Sequence, residues 1–341
     1  MKEISLIAVD LAKEVFQVCA VNRDGGVILN KRLNRKKFNE FLVKMSPCQL
    51  AMEACGGAHY WARKARGLGY SVQLIPAQYV RPFVNTNKND RNDAVAISEA
   101  ARRPNLRTVS IRTAEAQAES LVHRSRERLV RSKVMIINQM RGFLIEFGIT
   151  AAVSRNQLRS DFWAVIEESG NDLPERARSI LVKMHGELVE VEKQIASYTK
   201  DLENWTKAHA VCQRLRTIPG VGPVTSSAIV AKVSCPQQFR NGREFSAYIG
   251  LVPKQMSSGD NIYLGRISKR GDEYIRRMLV HGARAVLSRA RKVPNQDKRI
   301  VWAVKLAERK TFNKAAVALA NKNARTIWRL MMENEAVYKA G

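Results

Sequence analysis

Acidic side chains are scarce in this chain of 341 residues, 31 Asp and Glu against 58 Lys and Arg, which leaves a formal net charge of +27. An excess of that size excludes a polycationic partner and points to a polyanion. Aromatic residues make up only 7% of the sequence and form no RRM-like signature, so a base-stacking RNA module of that kind is absent. The five cysteines, Cys19, Cys48, Cys55, Cys212 and Cys235, make no C-x-x-C pair and no His–Cys group at zinc spacing. They are expected as reduced, buried small hydrophobes of a cytoplasmic protein. No run approaches the ~20 apolar residues that span a bilayer, and the opening MKEISLIAVD reaches a carboxylate early, so neither membrane insertion nor secretion is expected. Neither a G-x-x-x-x-G-K-[ST] loop nor a G-x-G-x-x-G motif occurs, and the five histidines stand singly, so nucleotide hydrolysis has no support.

What is present is ample core material. Hydrophobic residues are 45% of the chain, enough for two or three domains and incompatible with wholesale disorder. The charge is unevenly spread. Residues 1–110 carry 18 basic and 9 acidic side chains, residues 111–210 carry 15 and 14, and residues 211–341 carry 25 and 8. The polyanion is therefore expected mainly on the C-terminal sector.

The first sector, 1–110, reads as α/β. Strand-length apolar runs lie at Ile4 to Val9, Val15 to Val21, Val27 to Leu33, Gln49 to Ala54 and Val72 to Ile75, with Asp24-Gly25-Gly26 as a hairpin turn. Helical patterns at Lys36 to Met45, at His59 to Leu68 and from Asp90 onward fall between and after the later runs. Three antiparallel strands followed by βα units are the order of a ribonuclease-H-like fold. The second sector, 111–210, is helical. Ala177, Leu181, Met184, Leu188, Val191, Ile195, Tyr198, Leu202 and Trp205 alternate spacings of four and three, a heptad seam that either pairs with the helical stretch Ala114 to Phe147 of its own chain or joins two chains. The third sector, 211–341, is mainly helical, with many basic runs.

Two carboxylates close apolar runs: Asp10 after Ile4 to Val9, and Glu53 after Leu50 to Met52. Asp90 and Asp93 sit three apart at a helix start, where they read either as part of a site or as helix-dipole partners behind a cap. Four converging acids repel one another unless a cation sits among them, and all-oxygen ligands suit Mg²⁺ or Mn²⁺. Such a centre serves phosphodiester chemistry. In the C-terminal sector, Ile218-Pro219-Gly220-Val221-Gly222-Pro223-Val224-Thr225 reads as a helix-hairpin-helix, in which Gly220, Gly222 and Thr225 approach a backbone phosphate. An ordinary Pro-Gly turn is the competing reading. Beyond it, Gly250-Leu251-Val252-Pro253, Ser257-Ser258-Gly259 and Leu264-Gly265-Arg266-Ile267-Ser268-Lys269-Arg270-Gly271 form a basic, glycine-punctuated loop region, followed by Arg276-Arg277.

Asp10-Leu11-Ala12-Lys13, Glu53-Ala54-Cys55-Gly56 and Asp90-Arg91-Asn92-Asp93-Ala94 resemble the three acidic blocks of the DEDD transposases, a family that includes the Piv-type DNA invertases. The resemblance covers nearly the whole chain. It implies a RuvC-like N-terminal domain, a helical coiled-coil middle and a C-terminal transposase domain. It also implies a multimer (dimer or tetramer), donor and target DNA as substrates, a structured non-coding guide RNA as partner, and origin in a bacterial insertion sequence. Aligned from Gly250-Leu251, Ser258 takes the position of the family's nucleophilic serine, one register from Ser257. Arg266, Lys269 and Arg270 are then placed to stabilise the attacked phosphate. The family pattern has Gly-Lys after Ser-Ser-Gly, whereas Asp260-Asn261 follows here. A junction-resolving metal nuclease with no covalent intermediate is the alternative, and a non-catalytic nucleic-acid-binding protein is a third reading that the four intact acids oppose.

Overall fold

The computed structural model describes residues 3–84, 89–150, 162–168, 170–258, 261–293, 296–333 and 335–340. Gly259 and Asp260 of the serine loop lie outside them. The chain divides into two compact units. The first comprises residues 1–116 with 233–235, and the second 117–232 with 236–341.

The first unit is a mixed α/β layer structure. Strands β1 (Leu6–Leu11), β2 (Val15–Val21), β3 (Val27–Asn34), β4 (Gln49–Glu53) and β5 (Ser71–Ile75) form one sheet in the order β3-β2-β1-β4-β5. The first three are antiparallel, joined by tight turns, and β4 and β5 add in parallel beside β1. The turn at Asp24-Gly25-Gly26 closes as expected: Gly25 has φ +90° and Asn22 accepts from its amide at 3.1 Å. Helices α1 (Arg35–Lys44) and α2 (Ala58–Gly67) cover one sheet face, where Phe16, Phe38 and Trp61 meet edge to face at centroid distances of 4.9–5.2 Å. A helical turn α3 (Ala77–Val80) leads toward α4 (Asp90–Ala101), whose Ala94, Ile97 and Ala101 cover the other face.

The second unit is mostly helical. Helix α5 (Ala114–Glu146) enters it and lies against α6 (Glu175–Ala208). Ile136, Ile137, Met140 and Leu144 of α5 share a core with Leu181 and Leu188 of the seam, and Ala177, Met184 and Val191 pack around it. Lys133 and Glu192 pair across the two helices at 2.7 Å, and Arg126 donates to Thr199 at 2.8 Å. The first part of the heptad seam, Ala177 to Val191, is thus covered within its own chain. Then follow α7 (Ala210–Arg216), α8 (Pro223–Lys232), α9 (Gly242–Tyr248), the hairpin β6 (Pro253–Gln255)–β7 (Leu264–Ile267), and α10 (Glu273–Ala290), α11 (Lys298–Arg309) and α12 (Phe312–Met332). No described helix is long and apolar enough to cross a membrane. None of the five cysteines forms a disulfide, but only Cys19 and Cys212 are buried; Cys48 and Cys235 are half-buried and Cys55 is exposed, against the expectation for all five.

Candidate active site and nucleic-acid-facing residues

Side-chain alternation decides where the strand-end acids go. Ile7, Val9 and Leu11 of β1 enter the core under α1 and α2, so Leu6, Ala8 and Asp10 face α4. In β4, Leu50 and Met52 take the first face and Ala51 the second, which puts Glu53 on the same face as Asp10. Val9 stands opposite Met52 in this parallel pair, so Asp10 and Glu53 occupy the same end of adjacent strands. Helix α4 begins there. Asn89 caps it, its side chain accepting from the Asn92 amide at 2.8 Å, and Asp90 and Asp93 fill the first turn.

Carboxylate oxygens of Asp10, Asp90 and Asp93 lie within 4.8 Å of one another. Glu53 shares their face and strand end but stands outside that group. Three carboxylates this close, half-buried at Asp10 and Asp93 and exposed at Asp90, make a hard, anionic donor set that fits a divalent cation. The neighbouring Cys55 thiol has its pKa raised by partial desolvation of the sulfur and then by the charges of Glu53 and Asp10, and the sulfur lies 3.8 Å from Leu11 O.

Two residues that the motif reading missed hold this arrangement. Gln17, opposite Asp10 on β2, is buried and donates to Asn30 Oδ1 at 2.6 Å, and Asn30 donates in turn to the Arg91 carbonyl at 3.3 Å. This relay ties the middle of the sheet to the first turn of α4, between Asp90 and Asp93. Its signal in the sequence was a single amide interrupting the apolar run Val15 to Val21.

Ser258 and Ser257 lie exposed beyond β6, with Ser257 accepting from Gln255 Nε2 at 3.1 Å and Ser258 bridged to Asn261. Arg266, Lys269 and Arg270 are exposed on the returning strand and its exit, where Lys269 takes φ +54°. The base of this loop is tightly shut. A Cβ on Gly250 would sit 2.3 Å from the Arg270 carbonyl oxygen, and one on Gly271 1.8 Å from that of Tyr248. Arg276 was expected on the nucleic-acid face. It is instead 9% exposed, and its guanidinium donates to the carbonyls of Ile249 and Arg270, both at 2.9 Å, joining the two ends of the loop. Arg277 is partly exposed and pairs with Glu127 at 2.6 Å.

The Pro-Gly motif joins α7 to α8 through a short turn. Gly220 has φ +87°, and a Cβ there would lie 2.8 Å from the Gly282 carbonyl oxygen, so its glycine is required by contact with α10. Thr225 is buried in α8, which withdraws it from the expected phosphate contact. Gly222 is exposed, with open space where its Cβ would be.

Two family models match the chain, one on each side of its middle. The DEDD-type IS110 transposase model matches residues 7–149, spanning all four acids, and the model described as "Transposase IS116/IS110/IS902 family" matches residues 212–300, spanning the Pro-Gly turn and the serine loop. A probable family 20 transposase of Pseudomonas aeruginosa is 43% identical over 99% of both chains. The transposase for insertion sequence element IS1111A of Coxiella burnetii is 41% identical over 100% of this chain and 93% of its own. The transposase for IS1328 of Yersinia enterocolitica is 40% identical over 96% and 97%. Matches of this extent and identity at both ends of the sequence, on the segments that carry the acids and the serine, place the chain in the IS116/IS110/IS902 family of transposases, enzymes that act on DNA.

Proposed function

We propose that this transposase breaks and rejoins donor and target DNA through a phosphoserine intermediate on Ser258, assisted by a divalent-metal centre at Asp10, Glu53, Asp90 and Asp93, under the direction of a structured non-coding RNA. The observation that carries the reading is the convergence of Asp10, Asp90 and Asp93 within 4.8 Å in a chain whose net charge is +27. Carboxylates gather against their own repulsion where function requires it. The sheet order with three antiparallel and two parallel strands supports a RuvC-like, ribonuclease-H-like domain over 1–110. The helical middle 111–210 and the serine-bearing domain 211–341 complete the division. Guidance by RNA rests on the family resemblance, and oligomers of this chain are proposed on the same ground.

In the reaction, Ser258 Oγ attacks a DNA phosphorus. A serine–phosphate bond forms, the bond to one sugar oxygen breaks, and that oxygen takes up a proton as the serine loses its own. Arg266, Lys269 and Arg270 stabilise the charge that develops on the phosphoryl oxygens. Gly222, ahead of α8, offers backbone approach to a flanking phosphate. Mg²⁺ or Mn²⁺ held by the carboxylates supplies Lewis-acid stabilisation of phosphoryl and leaving-group charge.

Recombination assays with Ser258→Ala and Asp10→Asn test the reading. Each is expected to abolish strand exchange while duplex binding persists, and only the parent and the Asp10→Asn protein keep a nucleophile able to form a covalent adduct. Full exchange by Ser258→Ala, with no adduct in the parent, would hand the chemistry to a metal nuclease. Partial recovery on mixing the two variants would show that the serine and the acids act from different chains.

A further inference from the structure

In the second unit, a cleft of about 660 Å³ opens between α11, α12 and the C-terminal tail. Arg299, Lys322, Arg325, Arg329 and Lys339 line it, with Glu333 as the one carboxylate in its wall. Glu333 is paired with Arg329 at 2.9 Å. Arg299 is held by its surroundings: Nε donates to Tyr338 Oη and a terminal nitrogen to Thr326 Oγ1, both at 2.8 Å, with Asp297 at 3.9 Å. Lys322, Arg325 and Lys339 have no ion pair among the described residues, and the buried Nε of Arg325 has no hydrogen-bond partner there. Lys322 Nζ stands 3.7 Å over the Trp302 ring. Burial, and then the charges of Arg325 and Arg299, lower its pKa.

The cleft is built and fastened. The Tyr338 ring stacks 4.0 Å under Arg299, its hydroxyl donates to Asp297, and its amide donates to Thr217 Oγ1 at 2.9 Å. Asn323, next to Lys322, donates to the Pro219 carbonyl at 3.0 Å. These two bonds fasten the cleft's surroundings to Thr217 and Pro219, at the start of the Pro-Gly turn. Apart from Arg299, its lining lies beyond residue 300, where the family match ends.

We infer that this cleft is a separate binding site for the phosphodiester backbone of a nucleic acid, seated on Lys322, Arg325 and Lys339 and walled by the Tyr338 tail. A polyanion is the ligand because crowded cations are relieved only by negative charge. A backbone is favoured over a small anion because the cleft, at about 660 Å³, is many times larger than one phosphate and its surroundings are fastened to Thr217 and Pro219 beside the Pro-Gly turn. The inference needs neither Ser258 nor the carboxylate cluster.

The test is the salt dependence of binding by the full-length chain, measured with duplex DNA and with single-stranded RNA of arbitrary sequence. Each phosphate contact adds about −0.9 to the slope of log K against log salt for duplex DNA and about −0.7 for a single strand. Lys322→Gln with Arg325→Gln should lower the slope by about 1.8 with DNA or about 1.4 with RNA, and weaken binding at 0.1 M salt on the order of tenfold or more. The probe that shows the change identifies the strand. Lys183→Gln with Lys200→Gln, exposed on α6, serves as the control for diffuse charge. An unchanged slope with both probes, or an equal change in the control, overturns the inference. Should the double variant melt early, Lys339→Ser in the exposed tail takes its place, with a slope change of about one expected and none overturning.

Discussion

His59 and His123, which the motif reading left without a role, each make their unit sensitive to acid. Burial first, and then Arg112 and Arg63 around His59 or Lys232 and Arg126 around His123, pull both imidazoles down to about 4. His123 is 1% exposed and its Nδ1 lies 3.2 Å from Tyr274 Oη. A folded pKa below the unfolded value of about 6.5 means that the unfolded chain binds protons first. The stability is therefore complete above pH 6.5 and is lost as the pH falls toward 4, by at most about 1.4 kcal/mol per pH unit for each histidine. His123→Gln should flatten the pH dependence of the denaturant midpoint over that window; an unchanged slope would remove His123 from this role. Glycines carry equally local information. A Cβ on Gly282 would lie 1.9 Å from the Gly220 carbonyl oxygen, so Gly282→Ala should cost about 1–3 kcal/mol. Gly222→Ala meets open space and should stay within about 0.5 kcal/mol, a contrast that thermal melts would register. The composition of the Pro-Gly motif pointed to both glycines alike, because a one-dimensional pattern does not say which glycine faces a helix and which faces solvent.

Among the elements, the strands and helices of residues 1–110 were legible to within one or two residues, since apolar periodicity reports the face each must bury, whereas the hairpin β6–β7 lies in a stretch that reads as loop because its exposed strands carry little apolar periodicity. The partner of a face was less legible. The seam Ala177 to Trp205 was plain in the sequence, but heptad spacing is satisfied by any apolar stripe, and α5 supplies one from the same chain. Leu188→Asp places a charge in that core and should destabilise the fold by roughly 3 kcal/mol or more, lowering the melting temperature, with a midpoint that does not move with protein concentration. A concentration-dependent midpoint would put the seam between chains. The acidic site shows the same division. Strand-end position and the spacing of Asp90 and Asp93 marked the acids, while the relay from Gln17 through Asn30 to Arg91 depends on the antiparallel register of β2 and β3, which no local motif encodes.

Across the whole molecule, charge runs to two extremes: a general positive excess and one compact negative group. The second should appear in stability without any assay of recombination. Asp93→Asn relieves repulsion within the Asp10, Asp90, Asp93 group, so in chelator the variant should melt above the parent. Added Mg²⁺ should raise the parent more than the variant, because a ligand that binds only the folded state stabilises it by mass action. Equal melting points under both conditions would argue that the three carboxylates do not act as one centre.

Arg276 has a consequence for motion. Its single guanidinium ties Ile249 to Arg270, so the twenty residues between them are anchored at both ends by one buried cation. A segment tethered in this way sweeps a bounded volume, and the group it carries acts at an effective concentration set by the tether rather than by free diffusion. Ser258, the nucleophile proposed above, is the group this segment carries. Loosening the anchor with Arg276→Met leaves two carbonyls without donors, at about 1–3 kcal/mol, and leaves the base of the segment to the β6–β7 pairing and the Ser268–Val252 and Lys269–Gly250 backbone bonds. The expected signature is faster proteolytic nicking between Gly250 and Gly271 with the helices intact: the serine stays chemically whole but is diluted over a larger volume.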